Sequence, residues 1–169
     1  MNEKDYEAYA IRLLPGLYDN SEFPQIHKTL RNAEYRFMKI PEEDFGLEFL
    51  TFKLALACRS WERACDENRV EAESDQKALL KVIMNSFQSP KFLKIATAFS
   101  DYLHSENAET QPWIAMPTHF FKRLKIDPLE KKEGKDGISE GFQMLVEFAD
   151  GFRSEFENAF FEFVHEVKA

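Results

Sequence analysis

Apolar residues recur along most of this chain at intervals of three and four positions, the spacing that places side chains on one face of an α-helix. Strict alternation of apolar and polar residues, which is typical of strands, is nearly absent. The helical spacing predicts segments at about residues 3–14, 24–40, 43–68, 75–87, 90–104, 118–124 and 139–167. We therefore expect an all-α fold: a single-domain bundle of six or seven helices over residues 1–169, with a long C-terminal helix.

Prolines set several of the predicted boundaries. Pro15 is expected to end the first helix and Pro41 the second, because proline cannot donate the backbone hydrogen bond of a continuing helix. Between residues 105 and 137 the periodicity fades, and prolines at positions 112, 117 and 128 divide the chain. We expect this stretch to be irregular, with one brief helix at residues 118–124.

The last predicted helix carries an apolar stripe about 23 residues, or about 34 Å, long. Its members alternate steps of three and four, the seam pattern of a bundle or coiled coil: Leu145, Ala149, Phe152, Phe156, Phe160, Phe163 and Val167. A neighbouring helix of about 12 to 15 residues covers only part of such a seam. Either two helices of the chain stack end to end against the seam, or a second copy of the chain completes the cover. The pattern favours the second alternative, a homodimer through the C-terminal helix, antiparallel because acidic residues flank the seam.

Charge and hydropathy narrow the classes of partner. The chain has 169 residues and a formal net charge of −8, and an acidic surface repels the phosphates of nucleic acids, so no nucleic-acid partner is expected. The basic run at residues 122–135 is interpreted as a solvated loop. No window approaches the roughly 20 apolar residues of a membrane span, and residues 1–5 resemble neither a signal peptide nor a transit sequence. We expect no membrane association and a cytoplasmic location.

Two acidic-x-x-His steps resemble the metal-ligating motif of di-iron helical bundles: Asp101 with His104, and Glu162 with His165. A metal site inside a bundle needs these side chains on the inward face of their helices. At about 100° per residue, both pairs point away from the apolar stripes of their own helices. We therefore predict that all four side chains are exposed and bind no metal.

The two cysteines, Cys58 and Cys65, lie on one predicted helix at a spacing of seven residues, which separates them by about 10.5 Å along its axis. A disulfide tolerates a Cα separation of only about 7 Å, so they are not expected to pair. Both are interpreted as small buried side chains with free thiols. The alternative, a catalytic thiol, needs a neighbouring histidine or a helix N-terminus, for which the sequence contains no evidence.

No local motif predicts an enzyme. The segment at residues 134–137 has two glycines and a lysine but lacks the upstream glycine and the Ser or Thr of a phosphate-binding loop. No Gly-x-Ser-x-Gly elbow occurs, and the cysteines and histidines do not have the spacing of a zinc site. We therefore predict no cofactor, no metal and no catalytic residue, although a triad whose members meet only in space leaves no such signature.

Phenylalanine is unusually abundant, with 17 residues in the chain. Core packing accounts for most of them, but Phe45, Phe49 and Phe52 form a second stripe on the third predicted helix, roughly opposite the stripe centred on Leu50. A helix that is apolar on two sides either lies at the centre of the bundle or is covered by another molecule. The sequence leaves both alternatives open.

A second apolar group occupies the proline-rich stretch at residues 112–121. Its members are Trp113, Met116, Phe120 and Phe121. Apolar residues in an irregular segment serve either as a structural plug or as a lid over a ligand. His119 lies among them and is the candidate polar participant.

These patterns favour a cytoplasmic, non-enzymatic helical protein that binds another protein or peptide through an apolar, aromatic-rich groove, as an adaptor, a chaperone-like module or a regulator. The predicted binding residues are Trp113, Met116, Phe120, Phe121, Phe45, Phe49 and Phe52. One alternative is a small-molecule-binding domain or an enzyme with a pocket under residues 112–121, in which His119, Cys58 or Cys65 takes part. A second alternative is a structural dimerisation module.

Overall fold

The computed structural model describes residues 2–33, 41–88, 92–105, 112–125 and 140–168. These residues form eight helices and no strand, and 86% of them are helical, which confirms the all-α prediction. The helices are α1 (Glu3–Tyr18), α2 (Phe23–Ala33), α3 (Glu42–Glu67), α4 (Glu73–Gln76), α5 (Ala78–Ser86), α6 (Leu93–Leu103), α7 (Pro112–Arg123) and α8 (Glu140–Lys168). None of these helices has both the length and the apolar character needed to cross a membrane.

Parts of three predicted segments lie outside the described residues. They are residues 34–40 of the second predicted helix, residues 89–91 at the start of the fifth, and residues 106–111 and 126–139, most of which belong to the stretch predicted to be irregular. The glycine-lysine segment at 134–137 belongs to the last of these. The outcomes below concern the other residues.

The third helix, α3, is the centre of the bundle, because it packs against each of the other seven helices described. Every residue from 49 to 58 is buried, around the full circumference of the helix. Both apolar stripes predicted on this helix therefore face other helices of the same chain. With 26 residues, α3 is about 39 Å long, and its ends lie within one residue of the predicted range of 43–68.

One of the buried residues of α3 is a lysine, which joins α3 to the connection between α1 and α2. The Lys53 side chain is 2% exposed, and its Nζ donates to the carbonyl oxygen of Asp19 and, at 2.8 Å, to Glu22 Oε1. A buried ammonium group needs partners of this kind, because burial removes its hydration. Asp19 directly follows α1, so this contact holds the end of α1 against the central helix.

The helix α1 continues through Pro15 to Tyr18, so the predicted end at residue 14 is wrong. The added turn is held by packing and by one backbone bond. The Tyr18 ring lies 5.4 Å from the ring of Phe92, and the N–H of Asp19 donates to the carbonyl oxygen of Pro15 at 3.0 Å. Tertiary packing thus offsets a helix penalty that is about 3 kcal/mol for an interior proline.

The fourth predicted helix is divided at Lys77 into α4 and α5, which is why eight helices are described rather than six or seven. The indole N–H of Trp61 donates to the carbonyl oxygen of Asp75 at 2.9 Å and holds α4 against α3. By contrast, α5 packs along α1, where Lys81 forms an ion pair with Glu7 at 3.3 Å. The two pieces are therefore anchored on different neighbours.

Residues 112–123 form the regular helix α7, where the sequence predicted an irregular segment with a helix only at 118–124. Pro112 occupies the first position of the helix, where a backbone N–H would have no hydrogen-bond partner within the helix. Pro117 lies inside the helix and removes one backbone hydrogen bond. Met116 and Phe120 are completely buried on either side of it, and their burial outweighs that loss.

Much of the apolar seam of α8 is covered within the chain. Near the C-terminus, Phe163 stacks on Tyr9 of α1 at 3.9 Å, and Phe160 lies 4.9 Å from Trp61 of α3. Near the other end, Leu145 and Ala149 have no exposed surface, and between the two ends Phe152 and Phe156 are half-buried. Contacts with other helices therefore cover much of the seam within one chain. The homodimer through α8 remains an untested prediction. The covered part of the seam no longer argues for it.

Candidate functional site

The structure brings together the two groups of aromatic residues predicted as a binding site. Phe120 of α7 lies 5.4 Å from Phe45 and 5.6 Å from Phe52 of α3, measured between ring centroids. Phe49 lies 6.1 Å from Phe52, and Phe121 lies 6.2 Å from Phe120. The groups meet where α7 packs on α3.

These residues form the interior of the bundle and line no open groove. Six of the seven predicted binding residues have no exposed surface: Phe45, Phe49, Phe52, Met116, Phe120 and Phe121. The stretch at 112–121 is therefore a structural plug in this conformation, because its apolar side chains fill the space between α3 and α8. A partner could contact them only if α7 moved away from the bundle.

Trp113, the seventh predicted residue, is half-buried between two arginines. The Cζ atoms of Arg63 and Arg153 lie 4.7 Å and 4.5 Å from the centre of its ring. Glu157 forms ion pairs with Arg63 at 3.3 Å and with Arg153 at 3.1 Å, which keeps the two cations on the ring. Stacking of this kind is a cation–π interaction, and here it ties α7 to α3 and α8.

His119 packs edge-on against the ring of Tyr102 of α6, with 4.9 Å between ring centroids. Burial and the nearby Arg123 guanidinium lower the pKa of His119, so the imidazole is neutral at pH 7. Its Nε2 atom is buried without a hydrogen-bond partner among the described residues. The predicted polar participant is thus part of the packed interface between α6 and α7.

An open cleft of about 180 Å³ lies between α3, α6 and α7. Its lining residues come from α3 (Asp44, Leu47, Glu48, Thr51), from α6 (Lys94, Ile95, Ala98) and from α7 (Arg123). The floor is buried, since Thr51, Ile95 and Ala98 have almost no exposed surface, whereas Asp44 and Lys94 are exposed at the rim. We call this feature the α3–α6–α7 cleft.

A network of hydrogen bonds and ion pairs fixes the polar wall of the cleft. The hydroxyl of Tyr102 donates to Glu48 Oε1 at 2.6 Å, and Arg123 Nε donates to the same oxygen at 2.5 Å. Arg123 Nη1 also donates to Asp101 Oδ2 at 2.8 Å. Burial and the Glu48 carboxylate raise the pKa of Tyr102 well above its usual value, so the phenol keeps its proton and remains a donor. The Glu48 carboxylate is therefore held in one position.

Sequence reasoning did not find this cleft. Arg123 was placed in a basic run interpreted as a solvated loop, and Asp101 was considered only as a metal ligand. Glu48 and Arg123 are 75 residues apart, and Glu48 and Tyr102 are 54 apart, so no local spacing connects them. The available signal was Glu48 itself, a carboxylate between two apolar stripes of a helix that proved to be central.

The acidic-x-x-His pairs lie on the surface. Asp101, His104, Glu162 and His165 are all exposed, as their helical positions predicted. Asp101 pairs with Arg123, and the His165 ring lies 4.1 Å from that of Phe161 on α8. Nowhere in the described ranges do three or more His, Cys, Asp or Glu side chains come close enough to hold a metal ion.

Both thiols are free and buried inside α3, as the sequence predicted. Burial raises the pKa of Cys58 far above its usual value and that of Cys65 to about 12. Both thiols therefore keep their protons near neutral pH, and a protonated thiol is a poor nucleophile. This environment is that of structural cysteines.

Comparison with protein-family models, curated proteins and solved structures finds no match to this chain. Function must therefore be inferred from the chemistry of the cleft.

Proposed function

We propose that this protein binds a short segment of another polypeptide in the α3–α6–α7 cleft. The observation that carries the proposal is the combination of size and lining: a cleft of about 180 Å³ with an apolar floor and charged residues at its rim. The proposal keeps the class of partner predicted from the sequence, another polypeptide. It places the binding surface at the cleft instead of at the aromatic residues of α3 and α7.

The size of the cleft favours a side chain over a whole cofactor. Pockets for small molecules have volumes of about 300 to 1,000 Å³. The cleft has about 180 Å³, which is below that range. One large apolar side chain fits such a space, while the rest of the bound segment lies across the rim.

The lining resembles the anatomy of a protein–protein contact. Leu47, Ile95 and Ala98 supply an apolar centre, and Asp44 and Lys94 supply charges of opposite sign around it. Protein interfaces commonly have an apolar centre that excludes water and a polar rim. An apolar side chain seated on Ile95 would be desolvated, and the flanking backbone would stay near the charged rim.

The cleft is preorganised, which lowers the entropy cost of binding. Glu48 is held by two donors, Tyr102 and Arg123. Tyr102 is completely buried and packs against Phe52, 6.1 Å away, which in turn packs against Phe120. The aromatic residues predicted as the binding surface thus support the cleft from below.

We also propose that the protein is located in the cytoplasm. Cys58 and Cys65 are both free thiols, and reduced cysteines are usual in proteins of that compartment.

The proposal can be tested by selecting binders from a phage-displayed library of random short peptides. Enriched peptides are synthesised with a fluorescent label, and their dissociation constants are measured by fluorescence anisotropy. The variant Lys94→Trp places a large ring over the cleft at an exposed position, so the fold should be retained. The matched control is Lys77→Trp, an exposed lysine between α4 and α5. Circular dichroism establishes that both variants are folded.

We expect enriched peptides whose affinity falls by about tenfold or more in Lys94→Trp and is unchanged in Lys77→Trp, since contacts at the centre of an interface dominate binding. A selection without enriched peptides would contradict the proposal. So would peptides that bind Lys94→Trp as tightly as the unmodified chain.

A further inference from the structure

Glu48 forms both of its hydrogen bonds through one carboxylate oxygen. Oε1 accepts from the hydroxyl of Tyr102 at 2.6 Å and from Arg123 Nε at 2.5 Å. The other oxygen, Oε2, accepts no hydrogen bond from any residue that the structure describes, yet it is accessible to solvent. Because Glu48 lines the α3–α6–α7 cleft, Oε2 is an acceptor that is open to a molecule bound there.

This acceptor is also fixed in position. The Glu48 side chain is only 12% exposed, and the two donors on Oε1 hold its carboxylate. Thr51, the uncharged polar residue of the lining, already donates its hydroxyl proton to the carbonyl oxygen of Leu47 at 2.8 Å. Asp44 is exposed at the rim, where water can satisfy its carboxylate. Glu48 Oε2 is therefore the preorganised acceptor that a bound segment would cover.

The charges of the lining do not select a cation for this acceptor. Two carboxylates, Asp44 and Glu48, are balanced by two cations, Lys94 and Arg123. Acidic residues in the first turn of α3 and basic residues in the last turn of α7 add further charges of both signs around the cleft. A neutral donor therefore suits Oε2.

A polypeptide bound over Oε2 displaces the water around it. A covered carboxylate oxygen without a donor destabilises the complex, whereas a segment that supplies a donor avoids this penalty. The neutral donor that nearly every residue carries is the backbone N–H. In the interior of an α-helix the N–H is already bonded to the carbonyl four residues earlier, but in an extended segment it is free to donate.

We propose that the bound segment is extended and that one of its backbone N–H groups donates to Glu48 Oε2, beside the apolar side chain seated on Leu47, Ile95 and Ala98. This inference rests on the proposed function and names the conformation and the polar contact of its partner. Glu48 is then the specificity-determining residue of the cleft. It disfavours helical segments, and it disfavours proline at the donating position, since proline has no backbone N–H.

The inference is tested with the tightest-binding peptide from the selection described above. Analogues are synthesised in which one amide at a time is replaced by an ester, which removes the N–H donor and adds almost no bulk. Their dissociation constants are measured by fluorescence anisotropy with the unmodified chain, with Glu48→Gln and with the control Glu62→Gln. Glu62 lies about 21 Å from Glu48 along α3 and pairs with Arg59 at 2.6 Å, so the control makes the same change beside an arginine far from the cleft.

Glu48→Gln should exchange the acceptor Oε2 for an amide donor. The remaining oxygen stays at the position of Oε1, because Arg123 can only donate. We expect one ester, next to the apolar anchor of the peptide, to weaken binding by about tenfold or more to the unmodified chain and to Glu62→Gln. The same ester should change the affinity for Glu48→Gln by about twofold or less.

Two results would overturn the inference. One is that no single ester weakens binding to the unmodified chain by more than about twofold. The other is that the ester weakens binding to Glu48→Gln as much as to the unmodified chain, because the lost N–H would then have had another acceptor. Circular dichroism establishes that both variants are folded.

Hydrogen exchange of the peptide amides in complex with the unmodified chain gives a second readout, which holds even if Glu48→Gln does not fold. We expect one amide, next to the apolar anchor, to exchange at least about tenfold more slowly than in the free peptide. Slow exchange at several consecutive amides, the pattern of a bound helix, would contradict the inference. So would unchanged exchange at every amide.

These measurements also separate the inference from the proposed function. If Lys94→Trp abolishes binding but no ester acts through Glu48, the cleft binds polypeptides by other contacts, and only the inference fails. If Lys94→Trp leaves the binding of the peptide unchanged, the proposed function itself fails.

Discussion

The hydroxyl of Tyr102 donates a hydrogen bond of 2.6 Å to Glu48, and this bond connects the aromatic core to the wall of the cleft. Tyr102 is completely buried, whereas the Glu48 side chain is 12% exposed. Arg123 binds the same carboxylate oxygen from the other side. Removal of the hydroxyl should therefore affect both the stability of the bundle and the position of Glu48.

Tyr102→Phe should lower the free energy of unfolding by about 1.5 to 3 kcal/mol, because it removes a hydrogen bond to a charged acceptor. Chemical denaturation followed by circular dichroism measures this loss. Tyr9→Phe is the matched control, since the Tyr9 hydroxyl has no hydrogen-bond partner among the described residues. Equal changes in the two variants would show that the bond to Glu48 contributes no stability of its own.

Phe120→Ala should be strongly destabilising, because Phe120 has no exposed surface and packs between Phe45, Phe52 and Phe121. A buried phenylalanine truncated to alanine costs about 3 to 5 kcal/mol. Ile114→Ala on the same helix removes a side chain that is 43% exposed and should cost about 0.5 kcal/mol or less. If denaturant titrations gave Phe120→Ala a cost as small as that of Ile114→Ala, α7 would not be packed as a plug.

The lowered pKa of His119 predicts a loss of stability on acidification. Below about pH 6.5 the unfolded chain binds a proton at this residue that the folded chain does not bind, so the free energy of unfolding falls until the pH reaches the folded pKa. The charged groups that face His119 are Arg123, Lys122, Asp101 and Glu48.

His119→Gln should make this decline shallower between about pH 7 and about pH 5, because glutamine does not titrate. The control is the unmodified chain, measured in the same series of buffers. Urea denaturation at several pH values measures the slope. A steeper decline in His119→Gln would show that protonation of His119 stabilises the fold.

Light scattering should give a mass near 19.8 kDa at low and at high salt, at concentrations well above micromolar. The reason is that Phe160 and Phe163, two residues of the seam that was expected to need a second copy, are covered by α1 and α3. A mass that doubled as salt rose would favour the antiparallel dimer and would imply a contact outside the seam.

Helical periodicity predicted the elements of this fold best where they are long. The bounds of α3 were predicted within one residue, because many turns contribute to the pattern. Two of the errors fall at Pro15 and Pro117, where local rules predict an end or an irregular segment. At both positions distant residues decide the outcome: Phe92 packs on the end of α1, and Phe45 packs on α7.

The aromatic groups of α3 and α7 meet in the structure, but periodicity could not tell whether they form a core or a groove. That distinction depends on which helices cover α3, and the covering residues come from distant parts of the chain. The cleft was missed for the same reason, since Glu48, Tyr102 and Arg123 belong to three helices. The hydrogen bonds among these three residues can be recognised only in the folded bundle, where the three helices meet.

The most direct measurement is a titration of the isotopically labelled chain with a peptide enriched by selection, followed residue by residue by nuclear magnetic resonance. We expect the largest changes in backbone amide shifts at Leu47, Thr51, Ile95 and Ala98, the residues of the α3–α6–α7 cleft. Changes concentrated elsewhere, for example around the exposed Met84 of α5 or Phe161 of α8, would contradict binding in the cleft.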